Sequence, residues 1–395
     1  MRAMPVQPAA RHEVELTVGS GLPVASRDGL PVGQLDLGPA HPSSHGAIQL
    51  RLVVEDGVVV EAEPRVGLLH RGAEKLFEVR DYRQAMVLAN RHDWLSAFGN
   101  ELGIALAVER MLGMQVPERA TWLRTLLSEL NRALVHLAFL GSFPAGSGVR
   151  TPTYHAADER EAVQRVLEEA AGGRMHLMFN RVGGLREDVP SSWLPHVREA
   201  VSVVRRGLGP LAEHLASDDV VAATRGVGIL TREQAEAFGV SGPMARAAGL
   251  DLDLRRDDPY LAYADLGDAL RVVTRQEGDA LARLEVLLEQ TEVSLDLVEA
   301  CADRLEALGP GAVGVKLPKV LRAPEGVVYV WTENPLGTSG WLLVSRADRT
   351  PWRLKLRSAS FNNVAALGEV LRGARVQDIV TVLASCPYVV GDVDK

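Results

Sequence analysis

The chain has 395 residues, 47% of them hydrophobic and 24% charged, and a net charge of −8 at neutral pH. Its length allows two or three domains or one large intertwined unit, and its acidic balance excludes a nucleic-acid binder that works through a broad basic surface. The two cysteines, Cys301 and Cys386, stand far apart and outside any CxxC pair, which excludes a disulfide scaffold and a self-contained cysteine-ligated metal centre. No apolar run approaches the roughly 18 residues that cross a bilayer, and the N-terminal stretch lacks a signal-peptide core. Any membrane association is therefore expected to come through partners.

Residues 1–35 are rich in Pro and Gly, apart from a short strand expected at 13–18. Gly38 to Gly46 (GPAHPSSHG) follows as a loop stiffened by two prolines, with His41 held out of the helical region by Pro42. Its histidines either hydrogen-bond their neighbours or serve a site, and the loop alone does not decide between these. Strands at 48–54 and 58–62 flank Asp56-Gly57, a strong hairpin signal. His70-Arg71 with Glu74-Lys75 is either a charged helix start or part of a site.

Helical periodicity covers about 72–113, broken near 90–93, and resumes behind Pro117 with leucines from Leu123 to Leu140 at helical spacing. Residues 141–152 read as a loop, 156–179 and 193–215 as two more long helices, and 278–308 as another. Such amphipathic segments predict a helical bundle, with His136 on its apolar face as a core histidine. Thr231 to Gln234 is a capping box, and 239–256 is turn-rich. Strands are expected at 327–331, 341–344 and 353–357, short helices at 362–373 and 376–384, and a polar tail at 391–395 that stays disordered unless bound. The expected fold class is α+β, a central long-helix bundle with small sheets from both ends. Its expected divisions are 1–66 (β region with the His loop), 67–309 (bundle) and 310–395 (C-terminal α+β region).

No nucleophile elbow, phosphate loop, dinucleotide fingerprint or HExxH is present. Glycines at 183–184, 226 and 228 read as turns. A chain with several polar loops and no site of its own is expected to share a site with a partner.

The ordered series GPAHPSSHG, LLHRGAEKL, NRHDWLSAFGNE, VPERATWLRTLLSELNRALVHLAFLG, GGRMHLMFNRVGGLREDVP, RGVGIL, SGPMARAAG, DLRRDDPYLAY and GDVDK resembles the D (49-kDa-type) subunit family of NADH:quinone oxidoreductase, respiratory complex I. The resemblance runs from about residue 36 to 395. That family is similar in turn to the large subunit of [NiFe] hydrogenases without its metal-ligating cysteines. No resident metal or cofactor is expected on this chain, with quinone as substrate and an iron–sulfur cluster in a partner subunit. The resemblance implies B-type, C-type and membrane-arm H-type partners, no nucleic acid, and a peripheral place on the cytoplasmic face of the membrane. NADH would bind other subunits.

Residue by residue, the resemblance implies that His45 reaches the quinone headgroup, where a carbonyl gaining electrons needs a donor and then a proton. Arg91 would lie beside the cluster as a fixed positive charge, and His176 would face it and couple its reduction to protonation. His70, Arg71, Glu74, Asp392 and Asp394 match segments at the same interface.

Several positions depart from the pattern. The family's quinone-gripping tyrosine is Trp94, whose indole donates a hydrogen bond but delivers no proton as a phenol can. The aspartate that supports the loop histidine aligns with Gly146, a tyrosine-rich segment is replaced by 153–161, and an arginine before RGVG is Ala223. A helical insert is missing between Pro310 and Glu325. Two readings follow: an electron-transfer subunit that helps form a quinone site, or a structural paralogue that keeps the interfaces without standard quinone chemistry.

Overall fold

The computed structural model describes residues 11–19, 24–146 and 156–395. The N-terminal sheet holds β1 (Arg11–Gly19), β2 (Val32–Leu35), β3 (Ala47–Glu55) and β4 (Val58–Arg65) in the order β2-β1-β3-β4. The β1–β2 pair is parallel and the others are antiparallel. Asp56 and Gly57 both have positive φ, 49° and 79°, as a tight hairpin whose twist matches its strands requires. Alternation along β3 turns Ile48, Leu50 and Leu52 inward.

Helices α1 (Ala73–Phe77), α2 (Tyr82–Ala89), α3 (Ala97–Leu112) and α4 (Glu118–Gly146) follow. A capping box of Asp81 and Gln84 opens α2. Gly113, left-handed at φ 60°, ends α3. The expected loop at 141–152 is corrected for 141–146, which continue α4. Leu140 and Phe143 keep its buried stripe going past Gly141, and the Ser142 hydroxyl bonds back to the Ala138 carbonyl at 2.7 Å. The next helix, α5 (Ala157–Ala171), is shorter than its expected 156–179, because Gly172 turns left-handed at φ 71°. The following chain forms a small hairpin, β5 (Asn180–Arg181) and β6 (Gly184–Leu185).

Then come α6 (Trp193–Leu215), α7 (Asp218–Thr224), α8 (Arg232–Phe238), α9 (Gly242–Ala247), α10 (Leu254–Asp257) and α11 (Ala280–Leu308). The capping box at Thr231 and Gln234 forms as expected. Long helices α4, α5, α6 and α11 build the bundle and supply most of its apolar core. His136 is a core histidine, with Nε2 3.0 Å from the Pro335 carbonyl.

The last part is an antiparallel meander of β7 (Gly326–Asn334), β8 (Gly337–Ser345) and β9 (Arg353–Arg357), then α12 (Ala359–Ala365), α13 (Leu367–Leu371), α14 (Ile379–Ser385) and a final turn α15 (Val390–Val393). The meander packs on α2 and α3 in an apolar cluster with Trp341 at its centre. Gly103 allows this approach, since a Cβ there would stand 2.2 Å from the Trp341 indole nitrogen. The chain's two ends share another core, in which Val18, Ile48 and Leu50 meet Leu371, Val382 and Tyr388. Strand β4 is also stitched to the turn after α13, with Val59 N–H donating to the Ala374 carbonyl at 2.9 Å and Gly373 N–H to that of Val59 at 2.8 Å.

The expected disorder of 391–395 is corrected as well. Asp392 and Asp394 are buried. Asp394 accepts the backbone N–H groups of Gly67 and Leu69, both at 2.7 Å, and the Ser360 N–H reaches Asp392 at 3.3 Å. The tail's polarity is consumed inside the chain.

Candidate functional site

The GPAHPSSHG loop folds as a 3-10 turn, Pro42–Ser44, with its two histidines at opposite ends. His41 is fully buried. Its Nδ1 accepts the Ser43 N–H at 3.2 Å, which leaves Nε2–H to donate to the Ala384 carbonyl at 3.0 Å. Burial lowers its pKa to about 4, with the Ala384 bond opposing and nearby His45 adding to the shift. His41 therefore stays neutral and anchors the loop. His45 is exposed, and its ring meets Trp94 edge-on, centroids 5.2 Å apart and planes at 88°.

Glycines let four segments meet here. A Cβ on Gly46 would stand 2.6 Å from Leu69 and 3.0 Å from Val390, and one on Gly391 would stand 2.9 Å from the His92 carbonyl. The His45 loop, the His70 loop, the 90–94 turn and the tail are thus packed against one another.

Behind Trp94, the Asp93 carboxylate accepts the Leu95 and Ser96 N–H groups at 3.1 and 3.0 Å in the turn that precedes α3. Burial and then the charge of Asp392 push Asp93 upward. Burial pushes Asp392 upward too. Two carboxyls kept from water favour holding a proton between them. His92 is buried in the same turn and lowered to about 4, first by burial and also by the Arg71 charge, with its bond to the Gly391 carbonyl opposing. A cavity of about 70 Å³ touches Trp94, Phe98, Leu134, Ala138, Arg160 and Leu167. That is well below the roughly 300–1,000 Å³ of ordinary small-molecule sites.

Arg91 lies on the outer side of this turn. Its guanidinium donates to the Asn90 side-chain carbonyl at 3.1 Å and reaches the Met178 sulfur at 3.9 Å. His176 is half-buried, and its pKa falls through desolvation and the Arg91 charge, with the Asn90 backbone opposing. Its Nδ1 is buried without a hydrogen-bond partner among the described residues. Among those residues no carboxylate lies within ion-pair distance of Arg91 or Arg71. A cation without a carboxylate partner thus stands beside a ring nitrogen that has no hydrogen bond among the described residues.

Of His45, Trp94, Arg91, His176, His70 and Arg71, five are thus linked: His45 with Trp94, Arg91 with His176, and Arg71 with His92 in the turn between them. The His70 side chain is exposed, and among the described residues no polar or ring contact ties it to the other five. Gly146 is the last residue of α4, and 153–155 lie outside the described residues. No group of three or more His, Cys, Asp or Glu among the described residues could hold a metal, and both cysteines are buried thiols. None of the described helices is long and apolar enough to cross a membrane. The buried carboxyl pair is not visible in the sequence, because Asp93 and Asp392 lie at distant points of the chain.

The sequence matches the family described as respiratory-chain NADH dehydrogenase, 49 Kd subunit, over residues 147–321 and 313–395. It is 57% identical over 394 residues to a D-type NADH-quinone oxidoreductase subunit of Streptomyces griseus, covering 100% of this chain and 99% of that one. It is 58% identical to a D-type subunit of the same enzyme in Streptomyces coelicolor, covering 96% of this chain and 99% of the relative. To the D-type NADH-quinone oxidoreductase subunit of Geobacillus thermodenitrificans it is 36% identical, over 91% of this chain and 98% of the relative.

Proposed function

The chain belongs to the 49-kDa subunit family of respiratory-chain NADH dehydrogenase, and on that premise we propose that it helps form the quinone-reduction site of a complex I-like enzyme, against an iron–sulfur subunit. It is then an oxidoreductase as part of a multi-subunit complex, peripheral on the cytoplasmic face of the membrane, with B-type, C-type and H-type partners. The observation that carries the reading is the edge-on contact of His45 with Trp94 at 5.2 Å. It sets two hydrogen-bond donors side by side, exposed His45 from its own loop and Trp94 from the turn that also carries Arg91.

Reduction of a quinone to a quinol takes two electrons and two protons. The partner's cluster, when present, supplies the electrons. His45 would donate a hydrogen bond to one carbonyl oxygen and transfer one of the two protons there as negative charge develops, the second proton reaching the other oxygen from solvent. Trp94 would orient the head group through its indole N–H and transfer no proton. Arg91 would place a fixed positive charge near the cluster, and a protonated His176 would add to it, which favours the reduced state. The cavity of about 70 Å³ at Trp94 is not lined by His45, so a quinone held by both residues would need further wall from the partner subunits.

The test is His45→Ala in the assembled enzyme. Quinone reduction is expected to fall by about 10²-fold, with electron transfer from NADH to an artificial acceptor retained. Unchanged quinone reduction overturns the assignment and leaves a subunit that keeps its interfaces without quinone chemistry. Pairing Trp94→Tyr with Gly146→Asp is expected to raise quinone turnover, and no change would show that Trp94 does not shape the chamber.

A further inference from the structure

Glu101 is a fully buried carboxylate one turn inside α3, and no step above uses it. Its Oε1 accepts the Met178 N–H at 2.8 Å, and its Oε2 accepts those of Phe179 and Asn180 at 3.0 and 3.2 Å. The Asn90 side-chain amide also donates to Oε1. Two distant segments therefore converge on one carboxylate. Asn90 immediately precedes Arg91 and holds its guanidinium, while Met178 lies two residues after His176 and touches Arg91 through sulfur.

We propose that Glu101 is a positioning residue that fixes Arg91 and His176 relative to each other on the face offered to the partner's iron–sulfur cluster. The proposal rests on the reading of that face given above. Three successive backbone N–H groups aimed at one side chain form an anion nest. A carboxylate, with two oxygens and no donor, can fill it, whereas an amide would turn an NH₂ toward N–H groups. Burial lifts the Glu101 pKa to about 7, against the pull of the three backbone bonds and the Asn90 amide. Among the described residues no cation lies within ion-pair distance of it. Its negative charge is felt instead by half-buried Arg181 on β5, and Arg91 and His176 stand on the two segments it ties. Below about pH 7 the protonated acid holds the nest less firmly, and above it the carboxylate grips both segments.

The experiment is Glu101→Gln in the assembled enzyme, with the midpoint potential of the partner's cluster followed against pH and its electron paramagnetic resonance signal recorded. The expected result is an assembled complex whose potential-versus-pH curve moves by roughly one pH unit, a tenfold change in proton affinity, with an altered cluster signal. Glu101→Asp keeps the charge on a shorter arm and should move the curve less. Assembled variants with the wild-type curve and signal overturn the proposal. So does failure of both variants to assemble, since Glu101 then serves folding. Arg91→Met and His176→Met run alongside: if neither moves the curve, the reading of the face itself has failed, and if they move it while the Glu101 variants do not, only the positioning role has failed.

Discussion

Two regions of this molecule treat charge in opposite ways. In the bundle interior, Glu129 accepts Arg132 at 3.2 Å, Arg255 at 3.0 Å, the Tyr263 hydroxyl at 2.6 Å and that of Ser294 at 2.8 Å. Arg255 also grips Asp253 at 2.7 Å, Arg246 meets Glu333 at 2.8 Å, and Arg124 meets Glu109 at 2.8 Å. Every one of these charges is buried and every cation has a carboxylate. On the outer face, Arg71 and Arg91 have none within reach among the described residues. The difference follows from solvation: a charge in the core needs partners within the chain, carboxylates in this network and backbone groups at Glu101 and Arg283, while a charge at the rim is solvated by water. On the reading proposed above, Arg71 and Arg91 are where a partner's charge belongs.

The contrast breaks most readily at Glu129. Glu129→Ala leaves the buried Arg132 guanidinium without a carboxylate, while Arg255 keeps Asp253, and is expected to cost about 3–5 kcal/mol, seen as loss of soluble chain and assembled complex. Stability near that of the wild type would mean the network is dispensable. A smaller effect tests the neutral histidine under the site. The folded pKa of His41, about 4, lies below its ordinary 6.5, so its neutral state stabilises the fold fully above pH 6.5. About 3 kcal/mol of that is lost as pH falls from 6.5 to 4, because the unfolded chain takes up the proton first. In His41→Gln the unfolding free energy should depend on pH less steeply in that window, by about one proton, and an unchanged slope would place the proton elsewhere. The smallest effect belongs to Arg71→Ala, whose stability should stay within about 0.5 kcal/mol of the wild type. Its association with the neighbouring subunit should weaken most at low salt, and association unaffected at any ionic strength would remove the claim that unpaired cations report a docking face.

How much of this is legible in the sequence depends on how far each residue's partners lie along the chain. Local signals carry through: Asp56-Gly57 makes its hairpin, Thr231 its capping box, and the leucines of α4 their buried stripe. The structure departs from expectation where tertiary burial overrides a local signal. Gly141 does not end α4, because Phe143 continues into the core, and the helix expected over 156–179 stops early because Gly172 has already turned the chain. The tail looks solvent-bound because the N–H groups that hold Asp394 belong to Gly67 and Leu69. The nearness of His45 to Trp94 follows from the ordered motifs. Glu101 stands in one of those same motifs without a role, since its donors lie at 90 and 178–180, and only folding shows that they share one acceptor.

The core shared by the chain's two ends has a consequence for synthesis. Strands β1 to β4 leave the ribosome early, yet the helices that cover their apolar face, with Leu371, Val382 and Tyr388, are made last. At about 5–20 residues per second, the half-built sheet waits on the order of tens of seconds with Ile48 and Leu50 uncovered. During that interval this apolar face is open to a chaperone.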